Sequence, residues 1–423
     1  MSLAPARPAA PARAESGPTA GPDAGPTALP LPAPEACPVL DWLLVQGRYA
    51  ATTDDLLRQT GRRLAASGVA VARIAMIVRT LHPLLEAQGR VWRVADDAID
   101  HWDAAHDAVR GEAWEQSPFR PLFEGAPGIR RRLADPSCPR DYPILDELAA
   151  EGATDYLALP LPWSDGRNYA LSFTCFAPGG LDDASVARIV ALVSPFAFAA
   201  EVLETRMMAE TVAATYLGRH TGARVMAGAI TRGSHEYIRA VVWYSDLRGY
   251  TSFSDRYDAE AVLALLDEHY GALVTAIDQA GGEVLKFMGD AILAIFPVVE
   301  LGGPGEAAAA AIAAVDAARA ATAEANARRE AAAEPAIRWG VALHIGEVVY
   351  GNIGARDRLD FTVVGPAVNH AARIAGQCGR LDRPVLLSAA FAAVCDWPVT
   401  PLGAHALRGV REPQDLFAPV LEG

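Results

Sequence analysis

Residues 237–254 read YIRAVVWYSDLRGYTSFS. Positions 238–244 are β-branched, aromatic and small, which is what a buried strand needs. The apolar run stops at Ser245-Asp246, and Gly249 can turn the backbone tightly before Thr251 and Ser252, either of which can start a helix. A strand tip with a carboxylate beside a turn of free N–H groups suits a divalent cation bound to a polyphosphate. The Asp would face the metal and the N–H groups the phosphate oxygens. Alone, the pattern describes a strand end and an Asp/Gly turn equally well, so the decision falls to the residues downstream.

Those residues alternate helix and strand. Positions 258–280 form an amphipathic helix whose apolar face is Val262, Leu263, Leu265, Leu266, Leu273 and Ile277, ended by Gly281-Gly282. Positions 283–287 and 291–296 pair as a hairpin around Met288-Gly289-Asp290, and 306–333 is an Ala-rich helix. Strands follow at 337–345, 348–352 and 360–364, and Gly365-Pro366 opens a helix that carries Asn369 and Arg373. This βαββαβ order predicts an α+β, ferredoxin-like layer of helices over an antiparallel sheet. With strand 238–244 beside the hairpin, Asp246 and Asp290 meet at one edge. Two such carboxylates repel unless a cation bridges them, which points to metal-assisted phosphoryl transfer.

Upstream, residues 1–38 are Pro, Ala and Gly with few large apolar side chains, and predict a disordered tail. Residues 39–205 are globular in composition. Helical periodicity is expected over 42–66 and 69–85, a strand at 90–93 with a polar loop at 101–109, a hairpin of 156–161 and 168–176 across Ser164-Asp165-Gly166, and a helix over 182–205. Arg130-Arg131-Arg132 reads as a solvated helix face, and His82, His101, His106 and Cys175 as ordinary polar or core residues without metal or haem spacing. Helices flanking an antiparallel sheet in this order resemble a GAF-type sensory domain. Residues 206–235 form a helical connector, jointed over 216–233 by Gly218, Gly222 and Gly228.

The formal net charge of −14 over 423 residues argues against a nucleic-acid-binding surface. Five scattered cysteines fit a reducing compartment. The chain shows no secretory signal pattern, and the apolar stretch 189–200 is interrupted by Ser194-Pro195 and is too short to cross a bilayer. A cytoplasmic protein without a membrane span is the expectation.

Three blocks, YSDLRGYT, GGEVLKFMGDAILAIF and DFTVVGPAVNHAARI, resemble the signature blocks of the class III nucleotide cyclases, in the same order. The resemblance covers residues 236–423, including LRGVREPQDLFAPV, with Tyr250 where Phe is usual. It implies that Asp246 and Asp290 bind Mg²⁺ or Mn²⁺, two ions per site, and that Lys286 and Thr362 recognise adenine. Asn369 and Arg373 orient the ribose and stabilise the transition state, and Arg358, or else Arg338, meets the pyrophosphate. It further implies ATP as substrate and a homodimer with two shared sites, under an unidentified small-molecule or protein regulator at the N-terminal domain. Thr at 362 matches a subgroup that responds to bicarbonate. Lys286 argues against a guanylate cyclase, since guanine presents the reverse donor and acceptor pattern. The turn Met288-Gly289-Asp290-Ala291-Ile292 lacks the Gly-Gly-Asp/Glu-Glu-Phe of diguanylate cyclases. A catalytically silent nucleotide-binding dimer is the alternative from another functional class.

Overall fold

A computed structural model of the chain describes residues 38–107, 111–356 and 358–421. The expected tail therefore lies outside the described residues except for Pro38, and so do positions 108 and 109 of the expected loop. The chain divides into two units, the first running to Thr205 and the second beginning at Arg206.

The first unit opens with α1 (Pro38–Val45) and α2 (Thr53–Ala66), the latter capped by the Thr52 hydroxyl on Asp55 N. Three strands follow, β1 (Arg73–Arg79), β2 (Leu85–Arg93) and β3 (Ile99–Ala105). Short helices α3 (Glu112–Glu115) and α4 (Phe119–Phe123) lead to β4 (Ile129–Arg131), α5 (Pro143–Ala150), β5 (Asp155–Pro162) and β6 (Asn168–Cys175). Helix α6 (Asp183–Leu217) runs into the second unit. The six strands form one antiparallel sheet in the order β3-β2-β1-β6-β5-β4. Ile77, Tyr156, Ala158 and Ala170 pack one face against Leu122, Leu145 and Leu148 of the short helices. Within the same unit Arg90 of β2 lies 3.0 Å from both Asp54 and the fully buried Glu204 of α6.

Several expectations for this unit are corrected. The helix expected at 69–85 is strand β1, because Ile74–Val78 is a continuous apolar run buried on both sides in mid-sheet, which helical periodicity imitates over so short a window. The polar loop at 101–109 contains β3, an edge strand whose exposure explains its polar side chains. Arg130 and Arg131 stand on edge strand β4, with Arg130 paired to the buried Asp155 at 2.7 Å and Arg131 paired to Asp141. Pro195 does not interrupt α6, which is long and apolar enough to cross a membrane, with half of its most apolar window buried in the protein. Ile189, Leu192, Phe196 and Ala200 are among the buried residues, so core packing accounts for that composition.

In the second unit, α6 ends at Leu217 and α7 (Arg219–Met226) follows. Gly218 between them has φ 88°, and a Cβ there would stand 3.1 Å from Val284 O, so the joint needs glycine on both counts. Strand β7 (His235–Leu247), α8 (Tyr250–Ser254), α9 (Ala259–Gln279), the hairpin of β8 (Glu283–Met288) and β9 (Ala291–Pro297), α10 (Pro304–Ala331) and β10 (Trp339–Gly354) make the βαββαβ core. Its order, β10-β7-β9-β8, is antiparallel throughout. Residues 337–345 and 348–352, read as separate stretches, mostly belong to one continuous strand, since β10 pairs with β7 without a register break. β11 (Leu359–Val364) folds back on β10, and α11 (Pro366–Ala375) follows. The chain ends with β12 (Val385–Ser388), α12 (Ala389–Ala392), β13 (Val399–His405) and β14 (Gln414–Pro419), which widen the sheet beyond β10. Alternation along β7 sets the layers. Val241 and Trp243 pack with Leu273 of α9 and Ile312 of α10, while Ala240 and Val242 pack with Ala367 and Ala371 of α11.

Candidate active site

Asp246 is the penultimate residue of β7, and Asp290 occupies the turn between β8 and β9. The β7–β9 register pairs Ser245 with Ile292, which brings the strand end to the hairpin turn. The turn is held from α9, where the Tyr270 hydroxyl donates to Gly289 O and its ring lies 4.5 Å from that of Phe287. Burial, and next the Asp290 charge, push the Asp246 carboxyl from its ordinary 3.8 up to about 6, with Arg248 acting the other way. Arg248 is held by the carbonyls of Cys378 and Arg383. Gly249, the N-cap of α8, has φ 79° and makes the tight turn after Arg248.

The donor set fits a hard divalent cation. Two carboxylates under mutual repulsion in a half-buried site are stabilised by such an ion. Among the described residues no group of three or more His, Cys, Asp and Glu side chains could hold a metal. Asp246 and Asp290 would therefore share an ion with water, backbone or a phosphate ligand, as Mg²⁺ prefers.

Lys286 lies in β8, four residues before Asp290, and its ammonium is paired with the Asp360 carboxylate on β11. Thr362 shares the Asp360 side of β11 by strand alternation and is buried, opposite Gly351 of β10. Sequence reasoning passed over Asp360. Its position two residues before Thr362 was the available signal, but the ion pair depends on β11 lying near β8. Asn369 and Arg373 are exposed, four apart on α11. His370 between them packs on His344 of β10 with ring centroids 4.6 Å apart, and the Arg373 guanidinium lies against Gly409.

Of the two arginines considered for the pyrophosphate, Arg338 adjoins the Asp246 strand, its carbonyl accepting from Arg248 N at 2.8 Å. It lines a cleft of about 360 Å³ with Gly249 and Tyr250. Arg358 precedes β11, and its carbonyl accepts from Ala355 N at 2.9 Å. Arg248 is the cation that acts on Asp246.

Residues 233–411 match the family described as the adenylate and guanylate cyclase catalytic domain. The chain is 36% identical to an adenylate cyclase of Anabaena cylindrica over 144 residues, 34% of this chain and 28% of that protein. It thus spans little more than a quarter of that relative's length. Among solved structures it is similar to a bacterial light-regulated adenylyl cyclase, at 23% identity and TM-score 0.45, over 52% of this chain and 63% of that one. It is also similar to the guanylyl cyclase Cya2, at 27% identity and TM-score 0.40, over 46% and 96%. Residues 233–411 are thus a nucleotide cyclase catalytic domain of the class III type.

Proposed function

We propose that the second unit is an adenylate cyclase that converts ATP to 3′,5′-cyclic AMP and pyrophosphate at a homodimer interface. The observation that carries this reading is the pairing of Lys286 with Asp360, beside the buried Thr362, in the same domain as the carboxylates Asp246 and Asp290. A site shared between two chains would take its adenine-directed wall from one copy and its acid pair from the other. Exposed apolar side chains beside the wall, Phe287 at 51% and Val364 at 42%, support its being covered by a second copy.

Adenine offers a ring nitrogen that accepts from Lys286 Nζ and an exocyclic amine that donates to Asp360 or Thr362. Asn369 holds the ribose, and the Arg373 guanidinium meets phosphoryl oxygens as charge shifts toward the leaving group. The ribose 3′-oxygen forms the new bond to the α-phosphorus, the bond to the β-phosphate bridging oxygen breaks, and the hydroxyl proton passes to solvent. Asp246 and Asp290 would hold the divalent cations, which when bound would supply positive charge to acidify the hydroxyl and neutralise the phosphates. Arg338, which shares its cleft with the turn after Asp246, is our assignment for the polyphosphate, ahead of Arg358. The first unit is read as a GAF-like sensory domain acting through the α6–α7 connector, in a cytoplasmic protein.

A guanylate cyclase is the second reading, because the Asp360 carboxylate is an acceptor that guanine's ring N–H could use. Incubating the full-length chain with ATP or GTP and Mg²⁺ or Mn²⁺, and identifying the product by mass, tests both. Cyclic AMP from ATP is expected. Cyclic GMP as the main product, or turnover of neither nucleotide, would overturn the proposal.

A further inference from the structure

The helix-covered face of the first unit's sheet carries polar groups that the fold leaves without partners. The registers of β1, β6 and β5 put Arg73, Thr174 and Tyr156 in one row, and Ala75, Ser172 and Ala158 in the next. Ser172 and Thr174 are fully buried, and neither hydroxyl makes a hydrogen bond among the described residues. Buried hydroxyls are desolvated at a cost that a partner normally offsets. Arg73, partly buried beside them, makes no ion pair among the described residues. Burial lowers its pKa, and the carboxylates that act on it, Glu151 and Asp100, do so from beyond ion-pair distance. Burial also raises the Tyr156 hydroxyl to about 12, so it remains an O–H donor at neutral pH. Ser172 and Arg73 both lie close enough to temper that shift, although Ser172 is out of hydrogen-bond geometry.

Arg73, Ser172 and Tyr156 line a cavity of about 390 Å³ whose walls are otherwise largely apolar, with Phe119, Pro143 and Ile144 among them. Three convergent donors on one wall and a mostly apolar lining elsewhere, with Gln116 and Ser117 as the other polar groups, select a ligand with an anionic head and an apolar body. One forked guanidinium matches one carboxylate. The next cation that acts on Arg73 is Arg93, and its charge is taken by an ion pair with Asp100, which leaves a dianion undercompensated.

We propose that this cavity binds a small organic acid, with the carboxylate on Arg73 and hydrogen bonds from Ser172 and Tyr156, and the apolar body against Phe119, Pro143 and Ile144. The assignment is independent of the cyclase reading of the second unit.

The test is isothermal titration of the full-length chain with benzoate, phenylacetate and hexanoate, each beside its uncharged amide, and with inorganic phosphate as the other source of an anion. At least one acid should bind saturably with one site per chain, and its amide at least about tenfold more weakly, as loss of a charge-assisted contact requires. Arg73→Gln should weaken the acid at least about tenfold, and Ser172→Ala about three- to tenfold, with unchanged circular dichroism. If Arg73→Gln fails to fold, Ser172→Ala and the acid-against-amide comparison on the unaltered chain decide. The proposal is overturned if none of the three acids binds more tightly than about 10 mM, a scale at which almost no net affinity remains. It is equally overturned if acid and amide bind alike, if folded Arg73→Gln binds as well as the unaltered chain, or if phosphate competes at equal affinity.

Discussion

The Lys286 ammonium donates to the Asp360 carboxylate, joining β8 to β11 across 74 residues of sequence. Both side chains are more than a third exposed or close to it, so the pair contributes little to stability, about 0–1 kcal/mol. On the proposed reading, the pair holds Lys286 ready for the base and adds an acceptor beside it.

Asp360→Asn should therefore leave the unfolding free energy within about 1 kcal/mol of the unaltered chain. It should also change the ratio of kcat/KM for ATP and GTP. An unchanged ratio, measured by product formation from each nucleotide, would remove Asp360 from base recognition. Lys286→Glu with Thr362→Cys should lower ATP use and raise relative GTP use.

Asp246 gives a pH prediction with a definite sign. Its folded pKa, about 6, lies above the ordinary 3.8, so its contribution to stability is fully present below about 4 and is lost as pH rises through about 6. In metal-free buffer the unaltered chain should lose stability relative to Asp246→Asn over that window. Mg²⁺ should narrow the gap at pH 8, because the ion stabilises the paired carboxylates. Parallel denaturation curves for the two proteins from pH 4 to 8, with and without Mg²⁺, would count against a strained acid pair. The variant should also lack cyclase activity.

The buried network at the connector bears on where the catalytic unit can be cut. Glu283 accepts from Thr221 N at 2.8 Å, from Thr221 Oγ1 at 2.7 Å and from Tyr350 Oη at 2.9 Å. A fragment starting at residue 236 loses α7 and leaves Glu283 buried with fewer donors. It should be less stable than one starting at 206 by about 1–3 kcal/mol. Equal denaturation midpoints would show that Thr221 is dispensable.

The proposed sharing of the site between two chains has a complementation test. Asp246→Ala and Arg373→Ala homodimers should both be inactive, whereas their heterodimer has one pocket with both lesions and one with neither. Tandem-affinity-purified heterodimer should recover up to about half the unaltered activity, given independent sites. No recovery in a verified heterodimer would place each pocket within one chain.

What the sequence determined by itself was local. The β-branched run before Asp246, the hairpin around Gly289-Asp290 and the amphipathic face of 258–280 all describe elements whose side chains repeat at the period of their own backbone, so neighbours in the chain suffice to read them. The candidate residues were legible because their order along the chain resembles a family. Tertiary structure decided whatever depends on neighbours distant in sequence. Strand β1 could not be told from a helix because its run is buried on both faces, a consequence of standing mid-sheet. The Asp360 carboxylate became Lys286's partner only when β11 folded back on β10 near β8. The raised Asp246 carboxyl required both burial and the arrival of Asp290 across the β7–β9 register. Arg73, Ser172 and Tyr156 are unremarkable along the chain, and only three adjacent strands turn them toward one cavity. Desolvation and charge coupling act through space, and the order of residues does not encode them until the sheet has formed.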